Sequence, residues 1–245
     1  MKTSKYQPRF YRDWGKAKDL HFTRISAKET DLSILTNKKL DQDFIKEKIR
    51  SYRWDIESYI DKDRKFLVSL KPIAVELDAA PIIKAMEYAS RIANVGPMSA
   101  VAGAIAQFLG EDLVKKGYKD IIIENGGDIF IKTRKSRIIG VYAGSSKLSK
   151  NLNLKIKPKD TPLGICASSG TVGHSLSFGS ADCVIILSKS AKIADSVATA
   201  TGNLVKSKDD LKRAVDFARS VKGVKGVLII INNNLVVSGD IELAK

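Results

Sequence analysis

The chain contains few of the residues that build disulfide frameworks or zinc sites. Its 245 residues include only two cysteines, Cys166 and Cys183, and two histidines, His21 and His174. Two cysteines make no disulfide framework, which favours a reducing compartment, and none of these residues has the spacing of a zinc site. We therefore expect a cytoplasmic protein whose cysteines pack as small apolar residues rather than act as nucleophiles.

Long apolar runs are also missing. The longest, residues 227–231, falls far short of the roughly 18 residues that a membrane span requires. The first residues carry no apolar core, so we expect neither a signal peptide nor a lipoprotein leader, and no membrane partner. Apolar residues at 44% and charged residues at 28% are ordinary globular values, which exclude disorder as a description of the whole chain.

Acidic residues are scarce relative to basic ones, with 27 Asp and Glu against 42 Lys and Arg and a net charge of +15. Residues 131–165 hold nine basic groups and one acidic group, on alternating positions typical of strands with one solvated face. Residues 134–137 are predicted to form the hairpin turn between two of these strands. The segment is either a lysine-rich edge that resists strand pairing or, with the aromatic and basic arm at residues 9–14, a surface for nucleic acid.

Helical and strand patterns alternate along the chain with no linker, which predicts a single α+β domain over residues 1–245. Asp41 or Asp43 is expected to cap the first helix, and Pro81 to open another that runs to about Ala93. Residues 99–106 form a run of small side chains around Gly103, typical of a helix that approaches another backbone or a ligand closely. Further helices are predicted over residues 191–205 and 207–221, and strands at residues 20–26, 32–36, 66–70, 121–123, 182–187 and 224–231.

Two loop motifs carry groups suited to chemistry. Asn125, Gly126, Gly127 and Asp128 follow a buried strand, so paired glycines turn the chain and place a carboxylate beside exposed backbone N–H groups; a plain tight turn is the alternative. Residues 168–175 combine hydroxyls and glycines that suit phosphate oxygens, but no Gly-Lys-Ser/Thr follows, so this is not a P-loop. The loop's members are Ser168, Ser169, Gly170, Thr171 and His174, the last a candidate general base or a structural histidine.

A third motif lies in the helix predicted from residue 191. Asp195 and Thr199 are spaced i, i+4, so a carboxylate and a hydroxyl project from one helix face. These are ligands for a hard cation such as Mg²⁺. The alternative is that Asp195 only complements a helix dipole.

The order of these motifs resembles the ApbE family of FAD:protein FMN transferases. A closer similarity, over nearly the whole chain, is to a branch related to that family. It is carried by residues 9–12, 29–32, 95–98, 101–103 and 169–175. Two signatures of the transferases are absent from this sequence: the lysine of an Ala-Lys-Gly motif, and the His-x-x-Asp-Pro-x-Thr-Gly motif, which the residues after His174 do not match.

The resemblance implies an ApbE-like, T-fold-like domain with mixed, mainly antiparallel sheets, in which residues 96–245 carry the site. It implies an FAD site and a Mg²⁺ that helps to cleave the pyrophosphate, with FMN passing to a hydroxyl of an acceptor protein. Asp195 and Thr199 then match the metal ligands, joined by a backbone carbonyl near residues 99–102. The remaining implied site residues are Gly103, Asn125, Gly126 and Gly127 beside the flavin, Ser168, Ser169, Gly170 and Thr171 near the phosphates, and Asp128 and His174 as catalytic groups.

Three hypotheses follow from the sequence. The first is a Mg²⁺-dependent site for a flavin nucleotide (FAD or FMN) or a related phosphate ester, with a protein acceptor. The second is a nucleic-acid-binding module that uses residues 131–165, and the third is a structural protein on a catalytically retired fold of this kind. Whether turnover occurs stays open at this point, and the apolar, lysine-edged hairpins favour a homodimer.

Overall fold

The computed structural model describes residues 17–143, 146, 152–170 and 178–244. The arm at residues 9–14, Thr171 and His174 lie outside the described residues. The described helices are α1 (Gln42–Lys62), α2 (Lys65–Val68), α3 (Pro81–Ala93), α4 (Val101–Lys115), α5 (Ala191–Leu204) and α6 (Leu211–Ser220). The described strands are β1 (His21–Ala27), β2 (Thr30–Thr36), β3 (Ile121–Asn125), β4 (Asp128–Lys132), β5 (Arg137–Gly140), β6 (Asn153–Ile156), β7 (Leu163–Ser168), β8 (Cys183–Ser188), β9 (Val224–Ile231), β10 (Asn234–Gly239) and β11 (Leu243–Ala244).

Most strands belong to one eight-stranded sheet, in the order β1-β2-β3-β4-β7-β8-β9-β10. Every neighbouring pair in it is antiparallel. The remaining strands form a second, three-stranded sheet in the order β11-β6-β5. The prediction of a mixed α+β architecture with mainly antiparallel sheets is confirmed.

Alternate residues of the central strands face two different apolar layers. In β3, Ile121 and Ile123 point to the layer that the helices cover, whereas Ile122 points to the layer under the small sheet. Because both faces are covered, β3 and β8 are buried along their whole length, with three consecutive isoleucines in β3 and five consecutive apolar residues in β8. The site described below lies on the helical side of the large sheet.

Three predicted helix starts are confirmed. The Asp41 carboxylate accepts a hydrogen bond from the Phe44 N–H at the start of α1, and Pro81 occupies the first turn of α3. Ser207 and Asp210 exchange the hydrogen bonds of a capping box before α6. In each case a short polar or cyclic side chain satisfies or removes an N–H group that has no partner within its helix.

Two predictions for the connecting segments are wrong. Residues 66–70 were expected to form a strand, but Lys65–Val68 is a helical turn, because Phe66 is buried with its ring 5.0 Å from that of Tyr59. Residues 134–137 were expected to be a hairpin turn, but β4 pairs with β7 and β5 pairs with β6. The chain instead crosses from the large sheet to the small one at this point.

The crossing from β4 to β5 is held by the buried carboxylate of Asp120. It accepts hydrogen bonds from the Arg134 backbone N–H at 2.7 Å, from the Arg134 guanidinium at 2.7 and 2.9 Å, and from the Thr133 hydroxyl at 3.2 Å. Burial acts to raise the pKa of Asp120, but the hydrogen bonds and charge of Arg134 outweigh it and hold that pKa below its ordinary value of 3.8. Asp120 therefore contributes stability in its ionised form.

We expect Asp120→Asn to lower the free energy of unfolding at pH 7 by about 2 kcal/mol, since charge-assisted hydrogen bonds contribute roughly 1.5–3 kcal/mol. A lowered pKa in the folded state means that this contribution is complete above about pH 4 and is lost as the pH falls further. Urea unfolding of both proteins at pH 7, 4 and 2.5 measures it. A difference between them that stays constant over this range would contradict the role of the ionised carboxylate.

In the described part of the chain, no single helix combines the length and the apolarity needed to cross a membrane. Among the described residues, one pair of segments, α3 and residues 97–115, reaches that length and composition together, and the two are bent by 104° from one another.

Candidate functional site

Asp195 lies in the second turn of α5 and reaches the amino-terminal end of α4. Its Oδ2 accepts a hydrogen bond from the Gly103 N–H at 2.8 Å, and the Ala102 N–H also donates to the carboxylate. The N-cap residue of α4, Ala100, supplies no side-chain cap. Asp195 thus caps a helix other than its own, so the helix-dipole role considered for it applies to α4 rather than α5.

Gly103 is required for this contact. A Cβ atom at Gly103 would lie 2.4 Å from the Ala191 carbonyl oxygen and 2.9 Å from the Asp195 Cβ. Gly164 of β7 approaches Ala191 equally closely, because a Cβ atom added at Gly164 would lie 2.3 Å from the Ala191 Cα. The close approach predicted for the small-residue helix is therefore an approach to the backbone of α5.

Asp128 supplies a second carboxylate, which is buried, beside the half-buried Asp195. It opens β4 directly after the glycine turn, and its Oδ1 accepts a hydrogen bond from the Ala167 N–H at 3.3 Å. Burial raises the pKa of Asp195 well above its ordinary range, and the neighbouring charge of Asp128 raises that pKa further, against the hydrogen bonds from α4. Two carboxylates that share one poorly solvated region repel each other, which is an arrangement that functional sites use.

The turn that carries Asp128 consists of Gly126 and Gly127, with φ values of +68° and +108°. The Gly127 N–H donates to Glu124 Oε1 at 2.8 Å, and the Asn125 amide donates to the Ala102 carbonyl at 3.2 Å. Asn125 therefore joins the turn to the first turn of α4, and its donor occupies one side of a carbonyl predicted to lie near the metal.

Thr199 follows Asp195 by four residues in α5, which is continuous through both positions. The two side chains are half-buried and lie on the stripe of α5 that its packing leaves partly uncovered, whereas Ser196, Val197 and Ala198 are buried. The structure thus places the carboxylate and the hydroxyl on adjacent turns of one helix face, as the spacing predicts.

The strand β7 ends beside this cluster and leads into the predicted phosphate loop. Ser168, the last residue of β7, is half-buried, and a Cβ atom at Gly202 of α5 would lie 3.4 Å from its hydroxyl oxygen. The Gly170 N–H donates to the Ala181 carbonyl at 2.9 Å, so this end of the loop is held to the chain just before β8. Ser169 is half-buried beside it. The loop's contribution through Thr171 and His174 stays a prediction.

The cluster therefore joins Asn125 and Asp128 from the β3–β4 turn with Gly103 from α4 and Asp195 from α5. A family model described as AbpE bacteria matches residues 12–241 of the chain. The chain belongs to this family. The resemblance to an ApbE-related family is confirmed.

Two relatives support the same conclusion. A UPF0280 protein of Methanococcus aeolicus is 42% identical over 211 residues, which are 84% of this chain and 85% of the relative. A UPF0280 protein of Methanocaldococcus jannaschii is 40% identical over 228 residues, 91% of this chain and 92% of the relative.

Solved structures show the same fold at low sequence identity. The flavin transferase ApbE from Vibrio cholerae superposes with a TM-score of 0.61 at 13% identity, covering 90% of this chain and 97% of that one. The apo form of the flavinyl transferase ApbE from Pseudomonas stutzeri superposes with a TM-score of 0.60 at 9% identity, covering 90% and 94%. The chain therefore has the fold of the ApbE flavin transferases.

Within this fold, the available donors fit a hard cation. In the described part of the chain no three His, Cys, Asp or Glu side chains are grouped to hold a metal ion. Mg²⁺ commonly takes one or two carboxylates and completes its octahedron with water or phosphate oxygens. The Asp195 carboxylate and the Thr199 hydroxyl are such a set, and a divalent cation beside them would offset the repulsion between Asp195 and Asp128.

Two residues that the sequence did not single out for the site contact Ala191, in the first turn of the helix that carries Asp195. The Cys166 thiol donates to the Ala191 carbonyl at 3.2 Å, and burial, together with the charges of Asp128 and Asp195, raises its pKa well above the ordinary value. Both cysteines are buried and unbridged, which confirms their expected packing role. The second missed residue, Gln107, is a single amide within the apolar stretch of α4, and this isolation was the available signal.

In the described part of the basic segment at residues 131–165, most basic side chains contact carboxylates from elsewhere in the chain. Lys135 and Arg137 both contact Asp19, at 3.0 and 2.6 Å, and Arg134 contacts Asp120. Lys155 and Lys157 both contact Glu242. This pairing favours the interpretation as lysine-edged strands and gives the nucleic-acid hypothesis no support.

Proposed function

We propose that the chain binds a flavin nucleotide, or a related phosphate ester, in a Mg²⁺-dependent site formed by α4, α5, the β3–β4 turn and the end of β7. The observation that carries the proposal is the pair of neighbouring carboxylates, Asp128 and Asp195, at the amino-terminal end of α4. A hard cation and an anionic phosphate are the partners that such a place accommodates best.

Each residue has a separate task in this proposal. Asp195 and Thr199 hold Mg²⁺, which when bound would neutralise charge on a pyrophosphate and stabilise the leaving phosphate. The Ala102 and Gly103 N–H groups fix the Asp195 carboxylate, and the Ala167 N–H fixes Asp128. The Asp128 carboxylate accepts or returns a proton beside the phosphates.

The glycine turn gives the nucleotide access to the cluster. Gly126 is exposed and Gly127 half-buried, and a Cβ atom at Gly127 would meet only the Ala167 Cβ, at 3.9 Å. The turn therefore presents backbone rather than side chains toward the end of β7. Similarity to the ApbE flavin transferases supports a flavin nucleotide as the ligand and a protein hydroxyl as the acceptor.

Titration of the purified protein with FAD, followed by flavin fluorescence with Mg²⁺ and with EDTA, tests the proposal. We expect FAD to bind at least about tenfold more tightly with Mg²⁺, a difference of roughly 1.4 kcal/mol in binding free energy. Equal affinity with and without Mg²⁺ would contradict the metal-dependent site, and absence of any FAD binding would contradict the flavin ligand.

A further inference from the structure

The amino-terminal end of α5 is capped by a residue of another helix. Ser190, its N-cap residue, makes no side-chain cap to its own helix. Instead, Gln107 Oε1 accepts hydrogen bonds from the Ala191 N–H at 2.9 Å, from the Ser190 hydroxyl at 3.1 Å and from the Lys192 N–H at 3.5 Å. One buried amide oxygen therefore accepts from two of the backbone N–H groups that a helix start leaves without an intrahelical partner, and from one hydroxyl.

The orientation of this amide is fixed from its other end. Gln107 Nε2 donates to Glu111 Oε1, one turn further along α4, at 2.8 Å. The donor end of the amide is thus engaged within α4, and the acceptor end faces α5. Gln107 is buried, so loss of its oxygen would leave the N–H groups of α5 without a replacement from water.

Gln107 and Asp195 form a reciprocal pair of caps. Asp195 of α5 accepts from the first turn of α4, and Gln107 of α4 accepts from the first turn of α5. Asp195 follows Ala191 by one helical turn, so the position of that first turn sets the position of the Asp195 carboxylate relative to Asp128. A change at Gln107 therefore reaches the carboxylate pair without touching it.

We propose that Gln107 is a positioning residue of the Mg²⁺ site, which it serves by holding the first turn of α5 against α4. This inference rests on the proposed function, since it assigns Gln107 a part in metal affinity as well as in stability. A purely structural cap would affect the free energy of unfolding and leave Mg²⁺ affinity unchanged. Residues that orient metal ligands typically change affinity by about 10- to 100-fold when they are replaced.

The test compares Gln107→Met, which removes the acceptor oxygen at similar size, with the exchange of Gln107→Glu and Glu111→Gln together, which keeps an acceptor oxygen at position 107 and an amide donor at position 111. Ser207→Ala is the matched control, because it removes the N-cap of the capping box before α6, away from the carboxylate pair. Calorimetric titration with Mg²⁺ alone is expected to show about tenfold weaker binding in Gln107→Met and wild-type affinity within about threefold in the exchanged pair. Ser207→Ala should lower the melting temperature and leave Mg²⁺ affinity unchanged.

Amide hydrogen exchange of the metal-free proteins gives a second readout. The Gly103 N–H donates to the Asp195 carboxylate and not to Gln107, so its exchange reports the position of that carboxylate. We expect it to exchange at least about tenfold faster in Gln107→Met, and at the wild-type rate in Ser207→Ala.

The two readouts separate the possible failures. If wild-type protein binds Mg²⁺ and Gln107→Met binds it equally well, with Gly103 equally protected, the positioning role is overturned and the proposed function stands. If wild-type protein binds no Mg²⁺, the proposed function fails, and unchanged protection of Gly103 in Gln107→Met would then overturn the link between the two helices as well.

Discussion

Asp195→Asn is expected to weaken Mg²⁺-dependent FAD binding by about 100-fold, or roughly 2.7 kcal/mol, while the protein stays folded. The asparagine side-chain oxygen can still accept from the Gly103 N–H, so the cap of α4 is retained. The negative charge that attracts the cation is lost. Removal of that charge also ends the repulsion with Asp128, which we expect to leave the melting temperature of the metal-free protein unchanged or raised.

The control for this variant is Asp210→Asn. Asp210 likewise accepts hydrogen bonds from two consecutive backbone N–H groups, those of Lys206 and Ser207, both at 3.0 Å, but it lies before α6. Flavin fluorescence titrations with Mg²⁺ and thermal melts without it compare the two variants. Unchanged Mg²⁺-dependent FAD binding in Asp195→Asn, or equal losses in both variants, would contradict the assignment of Asp195 as a metal ligand.

Gly103→Ala is expected to lower the free energy of unfolding by about 3 kcal/mol, the upper part of the range for overpacked cores. The added Cβ would lie 2.4 Å from a backbone oxygen of α5, and backbone atoms in packed helices yield little. For a chain of this size the loss corresponds to a fall of roughly 6–12 °C in melting temperature. Because the added Cβ would push α4 away from α5, we expect Gly103→Ala to weaken Mg²⁺ binding as well.

Gly202→Ala is the matched control for Gly103→Ala, and we do not expect it to destabilise the protein. Gly202 lies inside α5, and the nearest atom to an added Cβ is the Ser168 hydroxyl at 3.4 Å, an ordinary contact. Alanine is favoured over glycine in a helix by about 1 kcal/mol, so this variant should be neutral or slightly stabilising. Thermal melts of both variants decide the matter: equal effects of the two alanines would contradict the close approach at Gly103.

Local sequence patterns predicted those features that depend only on residues close together in the chain. The cap at Asp41, the start of α3 at Pro81 and the capping box at Ser207 each depend on residues within one turn of each other. The wrong assignments, residues 66–70 as a strand and 134–137 as a hairpin turn, depend on distant partners. Phe66 packs on Tyr59 of α1, and β5 finds its partner in β6, beyond any local signal.

In the candidate site, too, the features within one element could be predicted from the sequence and the contacts between elements could not. The i, i+4 spacing of Asp195 and Thr199 and the glycine turn before Asp128 are visible in the sequence, because each lies within one element. The contact between Asp195 and Gly103 joins residues 92 positions apart, and that between Gln107 and Ala191 joins residues 84 apart. Only the packing of α4 on α5 brings them together, which is why the reciprocal caps were not predicted.

A crystal structure of the protein with FAD and Mn²⁺, with data collected at the manganese absorption edge, tests the central claim most directly. We predict an anomalous peak about 2.1 Å from a carboxylate oxygen of Asp195, on the side of α5 that carries Thr199, with the FAD phosphates beside it. Bound FAD with no anomalous peak at Asp195, or with manganese held by other residues, would contradict it.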